Sequence, residues 1–239
     1  MDANQVLRKY KKIIITFFSI VAILIGAMIM VAIDVTDANK MTSINMILLL
    51  VLLIISLLFR TVLLGYKYMA GISKVIINQD KPIPYKRNVI ANYQVLIADE
   101  FIEFANNDRY HIFYKREEIK GKVLKVKRLI IVLLLKTKNL DYYDKLMHDD
   151  INRLEETFKK KERSTQNIII AFKNYEQIDE KATTNIAEVV SYGVGRQFFT
   201  QINVGLNNSD NKAYFLYSDT YSPSTSYKVG VELIKKLIK

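Results

Sequence analysis

From Ile13 to Ile33 the chain runs for 21 residues without a charge, and a second uncharged run, Ile44 to Phe59, begins after a short polar break. An α-helix rises 1.5 Å per residue, so the first run alone reaches roughly 30 Å, the thickness of a bilayer's hydrocarbon core. The second run continues past Arg60 to Gly65 or Tyr66. The spacing therefore predicts a membrane α-helical hairpin, with two transmembrane helices at about 13–33 and 44–66 and a loop over 34–43. A cleaved signal peptide would carry a shorter apolar core and a small-residue cleavage site, and would not be followed at once by a second span.

Cations near membrane ends set orientation. Arg8, Lys9, Lys11 and Lys12 precede the first run against Asp2 alone, and Lys67, Lys74, Lys81, Lys86 and Arg87 follow the second against Asp80 alone. The loop holds only Lys40. A cell-membrane, multi-pass protein with both termini cytoplasmic is the expectation. Arg8, Lys9, Lys11, Lys12, Arg60 and Lys67 are read as interface anchors, with Arg60 close enough to the surface for its stem to snorkel to the headgroups. Ser19, Asn45 and Ser56 are too few to line an ion or proton pathway within one hairpin, although they can hydrogen-bond to a partner helix, and Gly26-Ala27 permits a close helix approach.

The remaining organisation follows from periodicity. Residues 1–12 form a basic cytoplasmic N-terminus, 13–75 the hairpin with its helical extension, 76–93 a junction made extended by Pro82 and Pro84, and 94–239 a cytosolic domain. Asp99–Ala105 and Tyr110–Tyr114 flank the turn residues Asn106–Arg109 and predict a β-hairpin, with a helical reading of Val95–Phe104 in competition. A second turn is expected at Lys120-Gly121, leading through Val123–Val126 into Leu129–Leu135, a strand buried on both faces. Apolar residues recurring at three and four predict a helix over 140–163, with Asp141 and Asp144 in its first turn and Lys159–Lys161 in its last. Further expectations are a strand at Ile168–Phe172, a helix over 176–192 stopped by Gly193, strands at Phe198–Leu206 and Ala213–Tyr217, and a final amphipathic helix over 226–238. Strand–helix alternation predicts an α/β or α+β domain, a sheet covered by amphipathic helices.

Composition narrows the chemistry. The chain has no cysteine, which removes disulfides, thiolate metal sites and cysteine nucleophiles. Its net charge is +11, of which residues 1–87 contribute +7, so the hairpin flanks account for most of the excess and nucleic-acid binding is not called for. Abundant Lys, Ile and Asn point to an AT-rich bacterial genome. There is no phosphate-binding loop, no His-Glu-x-x-His and no nucleophile elbow. Gly193-Val194-Gly195 lacks the third glycine of a dinucleotide turn, and no cofactor is implied.

Three weaker features remain. Asp144 and His148 lie four apart, able to pair or to hold one metal from a shared helix face. Lys120, Lys122, Lys125, Lys127 and Arg128 form a basic stretch that could meet anionic lipid headgroups. Tyr214, Tyr217, Tyr221 and Tyr227 surround a Ser/Thr loop at 218–226, which suits protein recognition, core completion, or a small nucleotide or headgroup pocket. The expectation is a non-enzymatic membrane subunit or assembly factor of a transport or secretion complex, with membrane lipids and a protein partner or its own copies as partners. A two-span effector or channel-like subunit with a sensor domain, and a membrane-tethered nucleotide- or lipid-binding enzyme, stay open.

Overall fold

Two aspartates begin the two longest helices. In the computed structural model, which describes residues 2–120, 125–159, 162–194 and 197–239, Asp2 caps α1 (Ala3–Asp34) by accepting from the Asn4 amide. Asp37 Oδ1 accepts from the Asn39 and Lys40 amides at 2.9 and 3.1 Å, starting α2 (Ala38–Ile77). The loop is thus only residues 35–37 rather than 34–43, because Asp37 satisfies the first orphan N–H groups of the second helix. Both helices are long and apolar enough to cross a membrane, and their most apolar stretches are unburied. They pair as a hairpin, with Phe17 and Phe59 rings 5.2 Å apart.

The chain forms two compact units, Met1–Ile77 and Asn78–Lys239. The second is built on a mixed eight-stranded sheet. Its strands are β1 (Ile83–Pro84), β2 (Ile102–Asn106), β3 (Tyr110–Lys120), β4 (Lys125–Leu135), β5 (Gln166–Tyr175), β6 (Val189–Val194), β7 (Gln197–Asn207) and β8 (Lys212–Tyr214). The order across the sheet is β1-β8-β7-β5-β4-β3-β2, with β6 also paired to β7. β4, β5 and β7 are mutually parallel and the outer pairings are antiparallel. Four helices complete the domain: α3 (Gln94–Ala98), α4 (Lys145–Glu156), α5 (Glu180–Ala187) and α6 (Thr225–Leu237).

Side-chain alternation divides the sheet's two faces. Leu129, Ile131, Leu133 and Leu135 of β4 join Ile169 and Ala171 of β5 in one core with Met147, Ile151 and Leu154 of α4 and Ala182 and Ile186 of α5. The opposite face carries α6, whose Gly230 lies against Ile168 and Ile202. Strands covered on both sides cannot alternate apolar with polar, which explains the unbroken Leu/Ile/Val run at 129–135.

Several expected elements differ. α4 spans 145–156 rather than 140–163, because Asp144 is its N-cap and accepts from the Met147 amide. The residues before it form the connecting loop, and Lys160 and Lys161 lie outside the described residues. The helix expected over 176–192 is only Glu180–Ala187, capped by Asp179. Val189–Val194 is strand β6, where three β-branched residues, Val189, Val190 and Val194, pair with β7. Gly193 is therefore a strand residue and not a helix stop. The competing readings of 94–105 each hold in part: Gln94–Ala98 is helical and Ile102–Asn106 is a strand.

A side chain at Gly230 would invade Ile202, since an added Cβ would lie 2.7 Å from Ile202 Cδ1 and 3.3 Å from Ile168 Cγ2. Gly230→Val is expected to cost about 1–3 kcal/mol by overpacking. Denaturant unfolding of the full chain in detergent, followed through sheet circular dichroism, measures this loss.

Candidate functional site

In parallel sheets, ligands commonly bind beyond the carboxyl ends of the strands. Here the protein's own buried polar groups gather on the middle of β7, beneath the loop that follows β4. Gln201 and Asn203 sit on the β7 face that also presents Phe199 to the α4/α5 core, and both are buried. Gln201 Nε2 donates to the Tyr142 carbonyl at 3.0 Å and to Asn203 Oδ1 at 3.1 Å. Asn203 Nδ2 donates to the Asn185 carbonyl at 2.9 Å and to the Tyr143 hydroxyl at 3.1 Å. The Tyr142 hydroxyl donates to the Val204 carbonyl at 3.1 Å. Lys173 Nζ donates to the Leu140 carbonyl at 2.7 Å and lies 5.7 and 5.3 Å from the Tyr142 and Tyr175 ring centres.

Burial drives the protonation tendencies of this cluster. It lowers the Lys173 ammonium, against the pull of Asp141, and raises the Tyr142, Tyr143 and Tyr175 hydroxyls. The bonded groups hold the loop after β4 and the end of α5 onto the sheet. Buried amides satisfied in this way orient a fold and leave those atoms little capacity for substrate. In the linear chain, Gln201 and Asn203 read as the solvent side of an alternating strand; only the cover supplied by α4 and α5 turns that side inward.

The two residues paired by spacing are separated by their bonding. Asp144 is engaged twice, as the α4 cap and through a 2.7 Å ion pair with Arg109. His148 stacks on Tyr143, with ring centres 6.3 Å apart, and its buried Nε2 has no hydrogen-bond partner among the described residues. Among the described residues, no group of three or more His, Cys, Asp and Glu residues could hold a metal ion. The other histidine, His111, is 2% exposed, packs at a tilt against Phe113 with ring centres 4.1 Å apart and places Nε2 3.1 Å from a Glu103 oxygen.

The basic stretch divides as well. Arg128 is 6% exposed and turned into the domain, 3.3 Å from Glu117 and 3.5 Å from Gln166. Its inclusion among headgroup-facing cations is corrected by that burial. Lys120 and Lys125 are backbone partners at the end of the β3–β4 pairing, Lys127 pairs with Glu118 in the same ladder, and Lys122 lies outside the described residues. In the first unit, Arg8, Lys9, Lys11 and Lys12 lie on α1, and Arg60 and Lys67 on α2.

The tyrosine-rich loop forms a concave surface. Tyr227 is buried and its hydroxyl donates to the Leu216 carbonyl, while the Tyr217 hydroxyl donates to the Lys81 carbonyl at 2.7 Å. Tyr214 bonds to Asp210 at 2.7 Å. These three rings are structural, whereas Tyr221 is 38% exposed. Ser224 caps α6 by accepting from the Tyr227 amide, and the Asp219 amide donates to Asp80 at 2.7 Å, fixing the loop at both ends. Between loop and helix lies a cleft of about 260 Å³, lined by hydroxyls of 218–222, Tyr221 and charged residues of α6. Lys235 is bonded to Asp219 and lies 4.5 Å from the Tyr217 ring centre, and Lys228 lies 3.9 Å from Glu232. Cations already matched by carboxylates make a poor cradle for a polyphosphate. Tyrosine, serine and balanced charge suit contact with a polypeptide.

Comparison with protein-family models, curated proteins and solved structures finds no match to this chain.

Burial holds His148 below its usual range, although the Tyr142 backbone hydrogen bond and Asp144 and Asp149 act the other way. His111 is lowered in the same sense, with burial the largest cause. A folded state that keeps histidine neutral loses stability as pH falls below the unfolded value of about 6.5, because the unfolded chain takes up the proton more readily. The wild-type chain is expected to lose more unfolding free energy between pH 7 and 5.5 than His148→Gln does. Equal losses in denaturant titrations at the two pH values would show that His148 titrates as an ordinary exposed histidine.

Proposed function

We propose that this chain is a non-enzymatic integral protein of the bacterial cell membrane, anchoring a cytosolic interaction domain as a subunit or assembly factor of a larger transport- or secretion-type complex. The observation that carries the reading is the pair of 32- and 40-residue helices whose apolar windows are unburied. Side chains such as Phe18, Ile23, Ile33, Leu50 and Leu58 are more than half exposed along them. An apolar surface of that length is costly in water and ordinary in lipid. Basic flanks support cytoplasmic termini.

The partner-binding role rests on the cleft between the 218–222 loop and α6. Its volume of about 260 Å³ falls below the usual range for enclosed small-molecule sites, and its charges are paired. A polypeptide partner that engages Tyr221 and the loop hydroxyls suits it better than a nucleotide. A channel-like oligomer with the sheet domain as sensor is the second reading. It draws on Asn45, whose buried amide oxygen has no hydrogen-bond partner among the described residues, a group that another helix could satisfy.

Because the chain has no cysteine, single introduced cysteines report topology directly. Thr36→Cys is expected to react with an impermeant maleimide in intact cells, and Asn4→Cys only after permeabilisation. Reversed labelling would overturn the orientation. Native electrophoresis of the solubilised complex should show the chain with a second protein, and Tyr221→Ala combined with Lys228→Ala should release it without removing the chain from the membrane. Homo-oligomers alone would favour the channel-like reading, and a lone monomer would count against both.

A further inference from the structure

The membrane-facing hairpin carries a groove of about 390 Å³ between its two helices, bordered by Tyr10, Phe17 and Phe18 of α1 and by Arg60, Leu64 and Lys67 of α2. Its spacing is that of two facing helical stripes. Tyr10, Ile14, Phe17 and Phe18 recur at four, three and one along α1, while Arg60, Leu63, Leu64 and Lys67 recur at three, one and three along α2. Arg60 and Lys67 are two turns apart, about 10 Å along one helix face. The groove is apolar along its body and cationic on one side only.

No carboxylate lines the groove, and Asp2, at the start of α1, is engaged as that helix's cap. Residues 3–33 and 38–79 contain no aspartate or glutamate, and Asp34 and Asp37 stand at the opposite end of both helices. Arg60 also interrupts an otherwise uncharged run, where a cation needs either water or an anion. A guanidinium presents a planar fork of donors that matches phosphate oxygens two at a time, and the Lys67 ammonium and Tyr10 hydroxyl supply further donors nearby. Aromatic and leucine side chains beside them provide the surface against which an acyl chain packs.

We propose that this groove is a binding site for one anionic phospholipid, its phosphate held by Arg60 and Lys67 and an acyl chain laid against Phe17, Phe18 and Leu64. The inference rests on the membrane-spanning reading. It goes beyond anchoring in that the two cations act together on one lipid molecule rather than on the surface potential at large. The site belongs to the helical hairpin and is independent of the basic β3–β4 stretch.

Native mass spectrometry of the full-length chain in mild detergent, titrated with phosphatidylglycerol or phosphatidylcholine, tests it. One phosphatidylglycerol is expected to bind saturably and in preference to phosphatidylcholine. Arg60→Gln with Lys67→Gln should weaken that binding about tenfold or more, since each surface cation contributes appreciably to anionic-lipid attraction. Arg8→Gln with Lys11→Gln removes the same charge outside the groove and should change it by less than about twofold. Equal weakening by both pairs, no discrimination between the lipids, or displacement of the lipid by soluble glycerol phosphate would overturn the site. Carbonate extraction of native membranes separates the two levels of failure. A chain released into the soluble fraction overturns the membrane reading and the site with it, whereas a retained chain without lipid preference overturns the site alone.

Discussion

Parallel pairing of β4, β5 and β7 is the constraint on which the sheet domain depends. Parallel neighbours cannot be joined by a tight turn, so the chain must leave the sheet and return, and α4 and α5 lie in those returns. Covering one face creates a strong demand on the other. Side chains of the same three strands then need α6, which reaches Ile168 and Ile202 closely enough that only glycine fits at position 230. Antiparallel strands at both margins extend the sheet and continue the pairing outward.

The same constraint decides the fate of the polar residues. Around the middle of β7, under the loop that follows β4, Gln201, Asn203, Tyr142 and Tyr143 are bonded to one another and to nearby carbonyls. An arrangement that resembles a perturbed active site in its titration tendencies is therefore occupied with holding loops. Exposed polar groups lie elsewhere, beside the loop before α6, which leaves Tyr221 partly open. Asp219 and Glu232 neutralise the lysines around that cleft and so distinguish it from the acid-free groove on the hairpin.

The hairpin obeys different physics. Its helices satisfy their backbones internally, so their outward apolar side chains need only a nonpolar medium. Phe17 and Phe59 bring the helices together at the level where Arg60 begins the cationic side. In a bilayer a cation at Arg60 would carry a cost that an anionic headgroup offsets.

How much of this was legible beforehand varied with the length scale of the cause. The uncharged runs, the basic flanks and the 129–135 strand could be read directly, because each depends on composition over a continuous stretch. Helix ends were less legible: Asp144 and Asp179 both read as helix interior or flank until their bonds to Met147 and Ala182 identified them as caps. Val189–Tyr192 reads as the end of a helix because its strand partner, β7, begins only afterwards in the chain. The spacing of Asp144 and His148 was real, yet Arg109, 35 residues away, claimed the aspartate. Arg128 likewise belonged to a charged run in sequence, and in space its own side chain is buried beside Glu117. By itself, then, the sequence determined which segments are apolar and how long they are, since transfer from water is a local property of side chains. Tertiary structure alone decided which polar groups are left to bind something, because hydrogen-bond partners are drawn from strands and loops that the chain reaches only by folding.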